Sequence, residues 1–384
     1  MTTIFEYLDA PDIGVSTRDS VDIVSYGAFT PAGRGLDVIA RALVDGDRPV
    51  AVDKSVHDPE WPAIPVLPVA DFVPETILGR KGLSRLSRSD RLAIATCAMA
   101  YGDTAATIEP GETGVVLGTA VGSTGTLGAF LRDTFEQRRP YLVDAGLFPS
   151  TMMNSAAGNT AIRLGLTGVN ATVSGGSLAA LQAIHYARTV MAAGHARQIL
   201  AGGVEELSAP YAWAWQHAGM LTPGTALSEG CAVFGLLRPD DSRRTDSPVL
   251  GRILASDIRC ADPGRGAFAV ASRLAESIRD VLDRAEVSPD SVTTLVPGAQ
   301  SRHGFSALER RAVRDGLGGG SRRILHTHKT FGEAHGVGVA LRLAALLATW
   351  QHPTHPATDL FALVTGIGID GAVGCLLVAH PDLT

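Results

Sequence analysis

The sequence predicts a layered α/β fold built from two related halves, on two observations. Strand-like and helix-like patterns alternate along almost the whole chain. The halves also close on a similar phrase: Glu229-Gly230-Cys231-Ala232-Val233-Phe234-Gly235-Leu236-Leu237-Arg238-Pro239-Asp240, then Asp370-Gly371-Ala372-Val373-Gly374-Cys375-Leu376-Leu377-Val378-Ala379-His380-Pro381-Asp382. Acid-glycine, a short apolar strand, Leu-Leu and Pro-Asp recur about 140 residues apart, the mark of an internal repeat.

Residues 1–19 read as a loosely attached leader. Val21–Gly27 alternates like a strand and ends at a glycine turn, and a helical stretch follows from about Gly35 to Leu43. Strands are expected at Gly114–Leu117, Ala171–Ser174, Gln198–Ala201 and Cys231–Leu237, with a helix over Leu178–Ala193. Pro239–Pro248 is the most polar stretch and is taken as the boundary between halves, 20–240 and 249–384. The second half repeats the alternation: strand Val249–Ile258, helix Phe268–Ala285, strand Val292–Val296, helix Ser306–Arg314, strand Arg323–His326, helix Val337–Trp350 and strand Leu360–Val364.

Composition excludes several classes. An apolar fraction of 45%, 19% charged residues and 43 glycines describe a packed soluble protein rather than a disordered one. A net charge of −6 without a basic run gives no reason to expect nucleic acid or an anionic membrane as partner. The first residues, MTTIFEYLDAPDIG, lack the basic end and apolar run of a signal peptide, and no apolar stretch is long enough to span a bilayer. Cys97, Cys231, Cys260 and Cys375 are scattered, which predicts reduced, mostly buried thiols in a cytoplasmic protein. No zinc pattern is present, and His326-Thr327-His328 alone is no metal motif.

Five motifs in order carry a resemblance. Ile23-Val24-Ser25-Tyr26-Gly27-Ala28-Phe29-Thr30-Pro31-Ala32-Gly33 opens the chain. Phe148–Gly158 and Ile162–Gly168 follow, then Gly194–Gly203, then Ser228-Glu229-Gly230-Cys231-Ala232. Together they are similar to the β-ketoacyl synthase (condensing-enzyme) family over about residues 20–380. The resemblance implies a thiolase-like five-layer α/β/α/β/α fold and no cofactor. A condensing enzyme needs a thiolate at a strand-to-helix elbow, where the helix N-terminus favours the anion, and two imidazoles for decarboxylation.

The expected cysteine lies nine residues past Gly168 and seventeen before Gly194, and both counts land on Ser177. The first histidine belongs eleven residues before Glu309, at Gly298. The second falls in Lys329-Thr330-Phe331-Gly332-Glu333-Ala334-His335-Gly336, where the glycines select Glu333, the lysine Ala334 and the downstream helix Gly332. None is histidine. The resemblance therefore points to a chain-length-factor subunit of a type II polyketide synthase: a non-condensing partner of an active Cys-His-His ketosynthase that also meets acyl carrier protein. Such subunits often carry Gln where Ser177 stands.

Individual residues admit competing readings. Ser177 in Gly175-Gly176-Ser177-Leu178-Ala179 is either the nucleophile of an acyltransferase on acyl-carrier-protein or coenzyme A thioesters, or a helix cap in place of a lost cysteine. The nucleophile needs a base, and His335 and His303 are the candidates. Lys329 resembles the family's active-site lysine, as a pocket-floor group or a structural cation. Glu333 reads as an ion-pair or helix-start residue, and Asp370 as a turn residue. The glycines of Gly118–Ala129 lack a nucleotide-loop signature. The resemblance implies an acyl tunnel at Gly122, Gly125, Gly128, Phe130 and Ile367, with close helix packing as the alternative use of the glycines. Phe148–Gly158 is apolar enough to expect burial at a subunit interface.

Overall fold

A computed structural model describes residues 20–102, 108–353 and 359–383. The expected leader, 1–19, lies outside the described residues. Ten strands form one continuous path: β1 (Val21–Thr30), β2 (Thr113–Gly118), β3 (Asn170–Val173), β4 (Gln198–Glu205), β5 (Gly230–Leu237), β6 (Gly251–Cys260), β7 (Val292–Val296), β8 (Arg323–Ile324), β9 (Phe361–Ile367) and β10 (Ala372–Ala379). Their order is β8-β7-β9-β10-β6-β1-β5-β4-β2-β3, with the two-residue strand Gly33–Arg34 paired to the end of β1. In chain order within each half, the first strand lies beside the fifth, then come the fourth, second and third. β2, β3 and β4 run parallel with β5 antiparallel, and β7, β8 and β9 run parallel with β10 antiparallel. The repeated closing phrases are β5 and β10, which hold equivalent places.

The two five-strand sets meet only where Val21, Asp22 and Ile23 pair with Ile253, Arg252 and Gly251. That joint is braced by a buried ion pair, Arg252 Nε to Asp22 Oδ1 at 2.6 Å, with Ser242 donating to the same carboxylate. The polar stretch expected to separate the halves is a helix over Pro239–Arg244, not a slack linker. Asp241 in it is buried and pairs with Arg197, Arg238 and Arg244.

Helices complete five layers. α1 (Arg88–Gly102) and α3 (Ser155–Leu164) cover the outer face of the first set; α6 (Ala267–Ala285) and α7 (Phe305–Leu317) cover that of the second. Between the sheets lie α4 (Ala179–Ala192) and α8 (Gly338–Trp350). α8 reads GVALRLAALLATW and every residue of it is buried, as a helix apolar all round must be. Its one charged residue, Arg342, is therefore exceptional. α2 (Thr124–Glu136) and α5 (Ala209–Ala218) stand beside this core. Three apolar clusters fill the gaps, one between the sheets and one under each outer helix pair. Cys97, Cys231 and Cys375 are buried, but Cys260 is exposed. Among the described residues, no helix is long and apolar enough to cross a membrane.

Candidate functional site

Ser177 sits where the sequence places a nucleophile elbow. Strand β3 ends at Val173, and Gly176–Leu178 forms one tight helical turn that runs into α4. Gly176 takes φ +53°, a left-handed backbone that a side chain would strain, with Asp370 close by. Ser177 is buried, and its hydroxyl faces the guanidinium of Arg302, with Arg302 Nη1 donating to Ser177 Oγ at 3.2 Å. No imidazole hydrogen-bonds this hydroxyl among the described residues.

Arg302 is only 3% exposed and pairs with Glu333, Nε to Oε2 at 3.3 Å. Ser301 donates to Glu333 Oε2, and the backbone N–H of His335 donates to Oε1 at 2.9 Å. Burial by itself would raise this carboxyl's pKa, but Arg302 and the Ser301 hydroxyl outweigh it and hold Glu333 below the usual carboxylate range. The cluster is therefore a buried, ionised pair with Ser177 at one end. Of the three positions open for the second histidine, Glu333 is the one whose side chain enters it.

Gly298 is closely shielded. A Cβ there would lie 2.4 Å from Arg342 Nη2 and 2.8 Å from the Thr365 carbonyl, so a histidine cannot occupy this backbone without displacing Arg342. Burial lowers Arg342 to about 10, which leaves it charged at neutral pH, and it donates to the Thr365 carbonyl at 3.3 Å. The loop is held by Glu309, which accepts from Gly298 N at 2.9 Å, Ala299 N at 2.8 Å and Thr365 Oγ1 at 2.7 Å. A small cavity of about 20 Å³ borders Gly298, Glu333 and Arg342. Two guanidiniums and two carboxylates thus occupy the region where the family's chemistry needs two imidazoles.

The histidine candidates are arranged otherwise. His335 has φ +45°, an uncommon backbone for a non-glycine residue, and its ring stacks on Tyr211 at 6.1 Å and meets the edge of Trp215 at 5.2 Å. Burial lowers its pKa, against the pull of Glu333, so the ring is neutral at pH 7. Both its nitrogens and the Tyr211 hydroxyl are buried without a protein hydrogen-bond partner. His303 is exposed. His326 and His328 both bond Gln300, at 2.7 and 2.8 Å, and His328–Phe331 is a short helix rather than part of a strand, since β8 stops at Ile324. Lys329 does not reach a pocket floor: it is exposed beside Thr222–Ala226. Asp370 serves the turn, accepting from Ala372 N at 3.1 Å. No group of three or more His, Cys, Asp or Glu residues could hold a metal among the described residues.

The tunnel residues scatter. A Cβ on Gly125 would lie 3.1 Å from Glu206 Oε1, and one on Gly128 3.2 Å from Pro210 Cγ, so these glycines let α2 approach the 206–210 segment closely instead of leaving open room. Gly122 turns the chain at φ +62° against Met153. Phe130 packs near Phe148, ring centroids 5.9 Å apart. Ile367 is buried in the outer core of the second half, with α6 and β10. Sequence reasoning missed Arg302, which carries no pattern, and Arg342, whose signal was a lone charge in an apolar helix.

Glu205, at the end of β4, was also missed. Burial raises its carboxyl to about 7, against hydrogen bonds from Ala120 N, Thr119 Oγ1, Val121 N and Gly336 N that hold it down. A raised acid stabilises the fold fully below its unfolded value and loses that contribution as pH rises through the folded value. Folding stability from denaturant melts should therefore fall between about pH 5 and about pH 8, and Glu205→Gln should flatten that slope. An unchanged slope in the variant would assign the loss to another group.

Comparison with known proteins decides the family. The profile described as "Beta-ketoacyl synthase, N-terminal domain" matches residues 18–241, more than half of the chain. The chain belongs to the β-ketoacyl synthase family. Among solved structures, it resembles the ishigamide ketosynthase/chain length factor at 30% identity and TM-score 0.79, covering 94% of this chain and 99% of that one. A type II polyketide ketosynthase solved in complex with its acyl-carrier protein shares the fold at 18% identity and TM-score 0.80, with coverage of 94% and 99%. A putative polyketide beta-ketoacyl synthase 1 of Streptomyces virginiae is 24% identical over 89% of this chain and 88% of its own. The match to 3-oxoacyl-[acyl-carrier-protein] synthase 2 of Vibrio harveyi, 25% identical, spans 50% of this chain and 47% of that enzyme. The layered architecture is thus the thiolase-like fold of ketosynthases.

Proposed function

We propose that the chain is a non-condensing ketosynthase-like subunit, a chain-length factor, that pairs with an active Cys-His-His ketosynthase and shapes the acyl tunnel in polyketide or polyene biosynthesis. The observation that carries this reading is Ser177 held against the buried Arg302–Glu333 pair, with Arg342 against Gly298. A serine hydroxyl whose neighbour is a guanidinium has no base to activate it. That argument disfavours the acyltransferase alternative, because neither His335 nor His303 hydrogen-bonds Ser177.

Support for a partner comes from the surface. β3 ends the sheet and pairs only with β2 among the described residues. Elsewhere on the first half Phe148, Met152 and Met153 are exposed in the single chain, as are Tyr141, Leu142 and Ile162, the last on α3, which packs against β3. Leu127, Leu131 and Phe135 form an exposed stripe along α2 at helical spacing. An unpaired sheet edge on a chain with so much exposed apolar surface is suited to strand pairing with a second ketosynthase-fold subunit.

The test uses the purified chain, alone and co-expressed with a Cys-His-His ketosynthase. Alone, it forms no β-ketoacyl product from malonyl and acyl carrier protein thioesters; product from the pure chain would end the proposal. In the assembled pair, Ser177→Ala changes yield by less than about twofold, whereas a loss of about a hundredfold with pairing intact would establish the acyltransferase instead. The tunnel is tested on α2 at Leu131, since the glycines at 125 and 128 are committed to packing. Leu131→Trp narrows the partner-facing side and shortens the product, read by mass spectrometry. Unchanged lengths from an active, assembled variant would remove the tunnel-shaping role of this stripe.

A further inference from the structure

Arg310, Arg314 and Arg322 surround a cleft between α7 and β8 that nothing in the proposed function uses. It is an open cleft of about 500 Å³, and Leu295, Val313 and Ile324 give it an apolar floor. It shares Pro297 and Gln300 with the inner cavity at Gly298.

Charge sets this cleft apart. The chain carries −6 overall, yet this cleft is lined by Arg310, Arg314 and Arg322, with Glu309 as the carboxylate among its lining residues. Glu309 is buried and committed to Gly298 N, Ala299 N and Thr365 Oγ1. Asp315 pairs with Arg311 at 3.4 Å and only distantly with Arg314, at 3.9 Å. Arg322 is fixed by four carbonyls, those of Val292, Pro289, Leu317 and, at 3.5 Å, Gly319. Carbonyl acceptors orient a guanidinium without neutralising it, so Arg322 presents a full positive charge at the cleft. Arg310 bonds Ser306 Oγ, and no carboxylate pairs with Arg310 or Arg322 among the described residues.

The Gly318-Gly319-Gly320 loop closes one end. Gly318 at φ +74° and Gly320 at φ +140° need glycine for their backbone, but Gly319 does not, and a Cβ on it would meet nothing within 4 Å. Internal packing therefore gives no reason for glycine at 319. The Gly318 N–H donates to the Arg314 carbonyl at 2.9 Å, and the bare backbone of Gly319 and Gly320 beside guanidiniums lets an anion come close to their peptide N–H groups, as in other glycine-rich anion cradles. Planar guanidiniums bind phosphate oxygens through paired N–H donors, and the floor offers burial to an apolar body.

We propose that this cleft is a binding site for a soluble phosphorylated ligand with an apolar body, its phosphate held by Arg310, Arg314, Arg322 and the backbone of Gly319 and Gly320. The inference does not depend on the role of Ser177.

The probe is dodecyl phosphate below its micelle concentration, titrated calorimetrically into the protein in its purified, assembled form. Arg310→Ala with Arg314→Ala should weaken binding about tenfold or more, and so should Gly319→Asp, whose carboxylate repels the head group from an open position. Inorganic phosphate alone should bind at least about tenfold more weakly, because it leaves the floor empty. Both variants are at the surface and should melt like the unsubstituted protein. Equal binding of uncharged dodecyl maltoside, unchanged affinity in both variants, or binding only to vesicles containing phosphatidic acid would each overturn the proposal.

Discussion

Arg302→Ala lowers folding stability by about 3–5 kcal/mol, the ordinary cost of leaving one charge of a buried pair alone. Glu333 would keep its Ser301 and His335 hydrogen bonds but lose the cation that holds its pKa down. The measurement is a denaturant melt at neutral pH, reading the midpoint with the slope checked for two-state behaviour. A double replacement, Arg302→Met with Glu333→Leu, should recover most of the loss, because an apolar pair needs no desolvation of charge. A cost below about 1 kcal/mol for Arg302→Ala would mean that the pair is solvated, and the account of Ser177 as an occluded hydroxyl would fall with it.

The second large effect is on assembly. Phe135→Asp combined with Ile162→Asp should weaken pairing with the ketosynthase partner by about a hundredfold or more, enough to abolish co-purification. Phe135 is 86% exposed and Ile162 81% exposed in the single chain, so neither contributes to its core. The substituted chain should therefore fold with an unchanged melting temperature while the pair dissociates, read by size-exclusion chromatography with light scattering. If the pair survives, the apolar surface that includes Phe135 and Ile162 is not the proposed interface.

Much of the framework was legible because it rests on periodicity. Val292–Val296 and the helix near 179–192 emerged close to their expected bounds, since a buried strand and a buried helix each impose their own spacing on apolar residues. The echoed phrases at Glu229 and Asp370 were legible for a related reason: each encodes a final strand with its turn, and both halves use that strand alike. Short elements were harder. The expected strand over 323–326 shrinks to two residues, because His326 turns away to bond Gln300 and the chain coils into the His328–Phe331 turn.

The candidate site divides in the same way. Counting between glycines picked out Ser177 and Gly298 because it needs only spacing along the chain. Nothing local located Arg302, Arg342 or the exposure of Lys329, since these depend on which side chains meet across the two halves. The glycines of α2 show the limit most clearly: in sequence they read equally as tunnel space or as helix contact, and the nearness of Glu206 and Pro210 decides for contact.

By itself, then, the sequence determined the two-half α/β architecture and its family resemblance, and it named Ser177 and Gly298 as positions to inspect, all of which follow from spacing along the chain. Only the tertiary structure decided what surrounds those positions: a buried Arg302–Glu333 pair beside Ser177 and Arg342 against Gly298. The physical reason is desolvation. Whether an arginine is a solvated surface charge or a buried group that must find a carboxylate depends on the layers closing over it, and that closure joins residues more than a hundred positions apart, as between Ser177 and Arg302.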